Sequence, residues 1–440
     1  MKRDLENKVL IPWRGKKDRR PLLLRGARQV GKTYLVRDFA QAQFEQLVEI
    51  NFELRPDLIP LFDELDPAVL IKNLNIVLNV QMTPGKTLLF LDEIQACPRA
   101  LMALRYFYEK FPELHVIGAG SLLDFCLEDK EFRMPVGRVQ YAYLQPLSFQ
   151  EFLSVTGQQQ LREALGDLSL QHPFPETIHR TLLKQLRQYL LIGGMPAVVQ
   201  QSVTDPVSME YKNLQTLILQ TYRDDFGKYA SRTRQFYLSR VFATAHQMVG
   251  KRYKYAHVDP ESQSRDLKEA LLLLERAGVI YRVLAASVQG GALPVNDKKF
   301  KIVFLDVGLM QHSLGLEAQI TMAPDFTSLS SGALAEQLVG QELLAQSDPY
   351  EDRKLFFWTR EKKNSQAEID YLARVDNQVI PIEVKAGQTG TLKSLRLFME
   401  SHKTPLGVRL ATHPLSFHDQ ILSVPLYAVE EFPRLCRNLP

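Results

Sequence analysis

Cysteine is scarce: Cys97, Cys126 and Cys436 are the only three in 440 residues. An odd number at wide spacing, with no C-x-x-C pair, excludes a disulfide framework and a paired-cysteine structural zinc site, leaving buried or incidental thiols. Long apolar runs are missing too. No uninterrupted stretch is long enough to cross a bilayer, and Met1-Lys2-Arg3-Asp4-Leu5-Glu6-Asn7-Lys8 lacks the apolar core of a signal peptide. The expectation is a cytoplasmic protein without a membrane partner. Nor does one sign of charge prevail. A formal net charge of +4 on this length does not call for a polyanionic partner, so any contact with DNA has to come from a local patch. What remains is the composition of a soluble globular chain, 45% hydrophobic and 24% charged, long enough for several domains rather than one core.

The strongest signal present is near the start. Leu22-Leu23-Leu24-Arg25 reads as a buried strand, and Gly26-Ala27-Arg28-Gln29-Val30-Gly31-Lys32-Thr33-Tyr34 follows as a glycine loop opening into a helix. This is G-x-x-x-x-G-K-[ST] in full, in the strand-loop-helix context the motif requires. The loop curls so that successive backbone N–H groups converge on phosphate oxygens at a helix N-terminus. Lys32 is placed to reach the β- and γ-phosphates of ATP, and Thr33 to offer its hydroxyl to Mg²⁺. Just before it, Trp13-Arg14-Gly15-Lys16-Lys17-Asp18-Arg19-Arg20 reads as a solvated basic loop, because Pro12 and Gly15 interrupt regular structure.

A second strand is expected at Leu47-Val48-Glu49-Ile50-Asn51-Phe52. Thr87-Leu88-Leu89-Phe90-Leu91-Asp92-Glu93 is a continuous apolar run ending in two adjacent carboxylates, the pattern of a buried parallel strand feeding a Walker B site. Asp92 is then a metal-side carboxylate near Thr33, and Glu93 the group that polarises an attacking water. Leu114-His115-Val116-Ile117-Gly118-Ala119-Gly120-Ser121 gives a further core strand, with Ser121 as the candidate γ-phosphate sensor. Arg138 is the candidate arginine for a phosphate of the same or a neighbouring subunit, with Arg133 as the alternative.

Gly26 to Thr33, Leu91-Asp92-Glu93-Ile94-Gln95, Gly120-Ser121, Gly137-Arg138, Leu147-Ser148-Phe149-Gln150-Glu151-Phe152 and Gly193-Gly194-Met195-Pro196, in that order, resemble a large prokaryotic family of AAA-type ATPases. In that family the ATPase is fused to a C-terminal region of unknown function. The resemblance implies a nucleotide-binding AAA+ core with a helical lid, and very little about biological role. It carries over Gly26, Gly31, Lys32, Thr33, Asp92 and Glu93, and with them Ser121 and Arg138.

Residues 156–177 turn to Gln, Gly, Asp, His and Pro and read as a loop between core and lid. Leu186, Tyr189, Leu190 and Gly193 then repeat at helical spacing. Between about 242 and 309, Leu267, Ala270, Leu271 and Leu274 form one helical face. Val279 to Val283 pairs with Phe300 to Asp306 as a hairpin, which together suggests a winged helix. Its exposed charges are mixed in sign, favouring protein packing over DNA reading. Residues 321–332 read as a linker.

Beyond it, Glu336 lies on a helical stripe with Val339, Gly340 and Leu343. Three short strand-like runs follow, in which Glu368 with Asp370, and Glu383 with Lys385, share a strand face two residues apart. An acid on a helix, an Asp on one strand and Glu-x-Lys on the next resemble the PD-(D/E)xK nuclease superfamily, here Glu336, Asp370, Glu383 and Lys385. Ile369 stands where that signature has Pro. The resemblance implies Mg²⁺ on Asp370 and Glu383, with Lys385 orienting the attacking water and Glu336 completing the shell.

The fold class is therefore α/β: a P-loop AAA+ core over residues 1–155, a helical lid over 156–235, a winged-helix-like module over 236–320 and a PD-(D/E)xK-like domain over 321–440. Two functional readings stand side by side. One is an ATP-hydrolysing enzyme coupled to a nuclease-like module acting on DNA. The other is an ATP-dependent switch or scaffold whose nuclease-like domain only binds a partner, with a homo-oligomer expected if an arginine reaches across subunits. A P-loop kinase is disfavoured, since adjacent Asp92 and Glu93 suit water activation.

Overall fold

The computed structural model describes residues 1–121, 123, 137–288, 293–322, 332–360, 367–385 and 392–439. They fall into two compact units, Met1–Gln145 with Ser347–Asp352, and Pro146–Gln346 with Arg353–Pro440.

The first unit is built on five parallel strands, β1 (Leu22–Arg25), β2 (Gln46–Asn51), β3 (Thr87–Asp92), β4 (His115–Ala119) and β5 (Gln140–Tyr143), in the order β2-β3-β4-β1-β5. Its helices are α1 (Ile11–Gly15), α2 (Lys32–Gln43), α3 (Pro67–Leu78) and α4 (Pro98–Lys110). Parallel neighbours need crossovers, and α2, α3 and α4 lie in them. Local chemistry sets their starts. Asp66 caps α3 by accepting from the Ala68 N–H, with Pro67 in the first turn, where its missing donor costs nothing. Strand β3 is buried at every position, as expected of its continuous apolar run. From β1 the chain crosses past β4 and β3 to reach β2, whereas β5 lies on the other side of β1. The loop after β1 therefore opens at the topological switch of the sheet, on its C-terminal edge, where ligands of such sheets bind.

The basic stretch before β1 differs from expectation. Residues 6–15 are helical, Pro12 is accommodated in the first turn of α1, and Trp13 is fully buried with its indole N–H on the Arg20 carbonyl. Arg19 is buried as well and donates to the Pro112 carbonyl. One aromatic and one guanidinium thus anchor a segment whose charge alone suggested a free loop.

The second unit begins with α5 (Phe149–Val155), whose start is a full capping box between Ser148 and Glu151. Next come α6 (Gln159–Asp167), α7 (Glu176–Ile192), α8 (Pro196–Thr204), α9 (Glu210–Tyr229), α10 (Arg232–Met248) and α11 (Ser264–Arg276). Helix α6 lies inside the stretch expected to be loop. Leu165 and Leu168 are buried there, and two apolar anchors outweigh a polar composition. The apolar stripes of α7 and α11 are buried as read, Leu186, Tyr189 and Leu190 on one and Leu267, Ala270, Leu271 and Leu274 on the other.

An eight-stranded sheet follows, made of β6 (Ile280–Ala286), β7 (Val295–Phe304), β8 (Leu355–Thr359), β9 (Glu368–Val375), β10 (Gln378–Lys385), β11 (Gly407–Ala411), β12 (Ser416–His418) and β13 (Ile421–Pro425). Its order is β12-β13-β11-β10-β9-β8-β6-β7. Helices α12 (Val307–Leu314), α13 (Glu317–Met322), α14 (Gly332–Gln346), α15 (Lys393–His402) and α16 (Phe432–Arg437) complete the unit. The hairpin expected as a wing is present as β6 and β7, but it does not stand free. β6 pairs in parallel with β8, Val283 opposite Leu355, so the hairpin is one end of the C-terminal sheet. An unpaired β6 edge would leave a row of backbone donors and acceptors open, and β8 satisfies them. Helix α14 lies close on this sheet because residue 340 is glycine: a Cβ there would stand 2.7 Å from both the Val303 side chain and the Tyr371 hydroxyl. The expected linker at 321–332 lies largely outside the described residues, with its first two residues ending α13 and Gly332 opening α14. Among the described residues no helix is long and apolar enough to cross a membrane.

Candidate functional site

The loop between β1 and α2 is shaped by backbone that only certain residues tolerate. Gly26 has φ +146°, and a Cβ there would overlap the Leu144 carbonyl oxygen, so the loop turns only because that position is glycine. Gln29 and Gly31 are also left-handed, Ala27 and Val30 are buried, and Arg28 pairs with Glu53 at 3.5 Å. Tyr34, on the first turn of α2, is half exposed. Lys32 is buried, its ammonium donating to the carbonyls of Gly26 at 2.9 Å and Ala27 at 2.8 Å. Burial pulls its pKa down to about 8, against the opposing pull of Glu93 and Asp92. Its direct partners are two neutral carbonyls rather than a carboxylate.

Across the same edge, the Thr33 hydroxyl donates to Asp92 at 2.9 Å, and the Asn51 amide donates to the same carboxylate oxygen at 3.1 Å. The other Asp92 oxygen accepts the Glu93 N–H at 3.1 Å. Burial raises the pKa of Asp92, with Glu93 adding to the rise and the hydrogen bonds from Thr33 and Asn51 opposing it. Glu93 leaves β3 in a left-handed conformation, φ 48°, and its carboxylate accepts the Gln95 amide at 2.5 Å. Ser121 follows β4, the strand beside β1, and its hydroxyl is buried with no hydrogen-bond partner among the described residues. Lys32, Thr33, Asp92, Glu93 and Ser121 all stand at the C-terminal edge of the sheet.

Arg138 does not join them. Gln140 is in register with Leu22, the first residue of β1, so Arg138 precedes the N-terminal edge, opposite the loop. There it pairs with Glu109 at 3.1 Å and is 47% exposed. It therefore has no route to a phosphate held by its own chain, and Arg133 lies outside the described residues. Asn51 and Gln95 were not foreseen. Asn51 ends β2 in register with Asp92, a cue available only once the strands are paired.

The second candidate cluster forms, with an addition. Glu336 projects from α14, Glu368 and Asp370 from β9, and Glu383 and Lys385 from β10. Lys301 of β7 enters between them. Its ammonium lies 3.1 Å from Glu336, 2.7 Å from Glu368 and 3.2 Å from Asp370, and its side chain is 3% exposed. The second Asp370 oxygen accepts the Val384 N–H at 2.9 Å, and Arg252 donates to the second Glu368 oxygen at 2.8 Å. Lys385 is paired with Glu383 at 2.5 Å. Glu383 is itself buried rather than outward-facing, because α14 and α15 both pack on β10. Burial pulls the Lys301 pKa down, but the carboxylates of Glu336, Asp370 and Glu368 outweigh it and raise the value. Burial, reinforced by Asp370, pushes Glu336 up to about 8. Among the described residues no group of His, Cys, Asp and Glu is arranged to hold a metal ion. Of the oxygens on which Mg²⁺ was expected, both of Asp370 and one of Glu383 already have partners, and the residues do not fit the metal.

Two further sequence motifs meet inside the second unit. The Leu147 N–H donates to the Gly194 carbonyl at 2.7 Å, and the Gly194 N–H to Asp306 at 2.6 Å. The Phe149 N–H and the Tyr189 hydroxyl both donate to Glu342 at 3.1 Å. Burial raises Asp306 to about 6. Leu147-Ser148-Phe149 and Gly193-Gly194 are thus parts of a buried polar hub.

Residues 18–153 match the family model described as an AAA domain. Residues 183–320 and 331–428 match two domains of unknown function, DUF8612 and DUF4143. The first unit thus carries an AAA-type P-loop domain on a parallel five-stranded sheet. None of the curated proteins matches the chain in sequence. Among solved structures, PCH-2 of C. elegans aligns at 13% identity with a TM-score of 0.30, over 48% of this chain and 64% of that one. The RuvB Holliday junction branch migration motor of Thermotoga maritima aligns at 14% and 0.29, over 67% and 90%. AMPPCP-bound DnaA from Aquifex aeolicus aligns at 13% and 0.27, over 60% and 75%. At such TM-scores these likenesses add nothing to the strand order described above.

Proposed function

We propose that the chain binds ATP in the loop Gly26–Thr33 and hydrolyses it. The observation that carries this reading is the approach of Thr33 to Asp92 at 2.9 Å on the edge where Lys32 and Glu93 also stand. Backbone N–H groups of the loop and the start of α2 bind the phosphates, and Lys32 exchanges its two carbonyl partners for β- and γ-phosphate oxygens. The neighbouring Thr33 hydroxyl and Asp92 carboxylate are hard oxygen donors that suit Mg²⁺, which supplies charge neutralisation on the β- and γ-oxygens when bound. Glu93, released from Gln95, accepts a proton from the attacking water. Ser121 donates its buried hydroxyl to the γ-phosphate. Arg138 is available only to the nucleotide of a second copy, which ties an arginine role to a homo-oligomer.

For the C-terminal unit, the reading as a nuclease-like module acting on DNA rests on Glu336, Asp370, Glu383 and Lys385. The presence of Lys301 among those acids favours the other reading, an ATP-dependent switch whose nuclease-like sheet does not cut. Phosphate release should be measured with and without DNA on the wild type, Lys32→Ala and Asp370→Ala. Turnover lost in Lys32→Ala is the expected result, and turnover that survives it sinks the ATPase reading. Stimulation by DNA, or cleavage lost in Asp370→Ala, would restore the nuclease-coupled reading. Nucleotide-dependent oligomerisation without either supports the switch.

A further inference from the structure

We infer that the acidic cluster of the C-terminal sheet is a cation site filled permanently by the chain's own Lys301, which takes the place of a divalent metal. The inference rests on the nuclease-like reading of Glu336, Asp370, Glu383 and Lys385, and it deepens that reading by naming the occupant.

The donor count closes. A lysine ammonium has three N–H groups, and three carboxylates stand around this one at hydrogen-bond distance, Glu336 at 3.1 Å, Glu368 at 2.7 Å and Asp370 at 3.2 Å. The remaining oxygens of two of those acids are used as well, Asp370 by the Val384 N–H and Glu368 by Arg252. Glu383 pairs with Lys385 through one oxygen, and its other oxygen is buried without a hydrogen-bond partner among the described residues. Among the described residues that oxygen and the Glu336 oxygen not facing Lys301 are the two left without a hydrogen bond, far short of the near-octahedral oxygen shell Mg²⁺ demands.

The charges come within one of balancing. Four carboxylates, Glu336, Glu368, Asp370 and Glu383, face three cations, Lys301, Arg252 and Lys385. A divalent ion added to that group would only exchange a net charge of −1 for one of +1, so the chain's own cations leave it no electrostatic demand for a metal. Lys301 also has nowhere to retreat. It lies inside β7 among Phe300, Ile302, Val303 and Phe304, all buried, and is itself 3% exposed. Expelling it would move a charge through apolar surroundings. In this arrangement the ammonium clasps edge strand β7 to α14 and β9, so the acids act as an internal clasp.

The test is Mn²⁺ binding to the full-length chain without nucleotide, with free Mn²⁺ read by electron paramagnetic resonance. The wild type, Asp370→Asn, Lys301→Met and the double variant are titrated alike. Wild type and Asp370→Asn should give the same isotherm. Lys301→Met should gain one Mn²⁺ per chain, with a rise in melting temperature on adding it, and the double variant should lose both. A wild-type Mn²⁺ that disappears in Asp370→Asn overturns the inference and leaves the nuclease-like reading standing. A folded Lys301→Met that gains no Mn²⁺ removes the premise, because the acids then never formed a cation site. Should Lys301→Met fail to fold, the wild-type and Asp370→Asn pair still decides.

Discussion

The Gln95 amide donates to the Glu93 carboxylate at 2.5 Å, so the group proposed to activate water is held by a side chain only two residues further on. Gly120 leaves room for this arrangement, since a Cβ there would overlap the Gln95 amide oxygen. A hydrogen bond to a charged group is worth about 1.5–3 kcal/mol, enough to keep most of the population engaged. Gln95→Ala should raise basal ATP turnover by roughly tenfold to a hundredfold with KM unchanged, since about 1.4 kcal/mol is a factor of ten. Steady-state phosphate release checks it, and a fall in kcat would show that Gln95 positions Glu93 rather than restrains it.

Separating binding from hydrolysis gives a second prediction. Glu93→Gln keeps the shape of the site but cannot take a proton, so turnover should drop by about 10²-fold or more while nucleotide affinity stays near wild type. Lys32→Ala should lose affinity itself. Equilibrium binding of a fluorescent ATP analogue, run beside single-turnover hydrolysis, tells the two apart.

A pH effect should come from Asp306. Its pKa is raised from 3.8 in the unfolded chain to about 6 by burial. The fold therefore holds the proton more tightly than the unfolded chain does. This contribution to stability is full below pH 3.8 and is lost as pH rises through 6, a swing of about 3 kcal/mol. Asp306→Asn, which does not titrate, should become more stable relative to wild type between pH 4 and pH 7. Paired thermal melts across that range test the sign, and a constant offset would rule the effect out.

Two glycines should respond in opposite directions to alanine. Gly340→Ala places a Cβ 2.7 Å from Val303 and from the Tyr371 hydroxyl, and should destabilise by roughly 1–3 kcal/mol as an overpacking change. Gly227 lies within α9, and a Cβ added there would meet nothing within 4 Å. At that position alanine should stabilise by about 1 kcal/mol through helix propensity. Urea denaturation of both variants is sufficient, and equal effects would contradict the packing of α14.

The sequence was most legible where structure is local. The glycine loop, the apolar run ending in Asp92 and Glu93, and the stripes on α7 and α11 each lie within one element, and periodicity or motif spacing reports them directly. It misled where a few anchors outweigh composition. Trp13 and Arg19 fix a segment that charge made look free, and Leu165 with Leu168 fold a stretch that polar residues made look like a loop.

By itself, then, the sequence determined an α/β chain with a phosphate-binding loop, a paired carboxylate after a buried strand, and four polar residues spaced like those of a nuclease. Only tertiary structure decided what those residues meet. Asn51 reaches Asp92 because β2 pairs with β3, and Arg138 is carried to the far edge by the register of β5. Lys301 reaches Asp370, 69 residues away, because β6 joins β8 and brings the hairpin into the C-terminal sheet. Strand pairing fixes those neighbours through backbone hydrogen bonds, which carry no side-chain signature. A lysine in an apolar run therefore shows its charge in the sequence but not the acids that surround it.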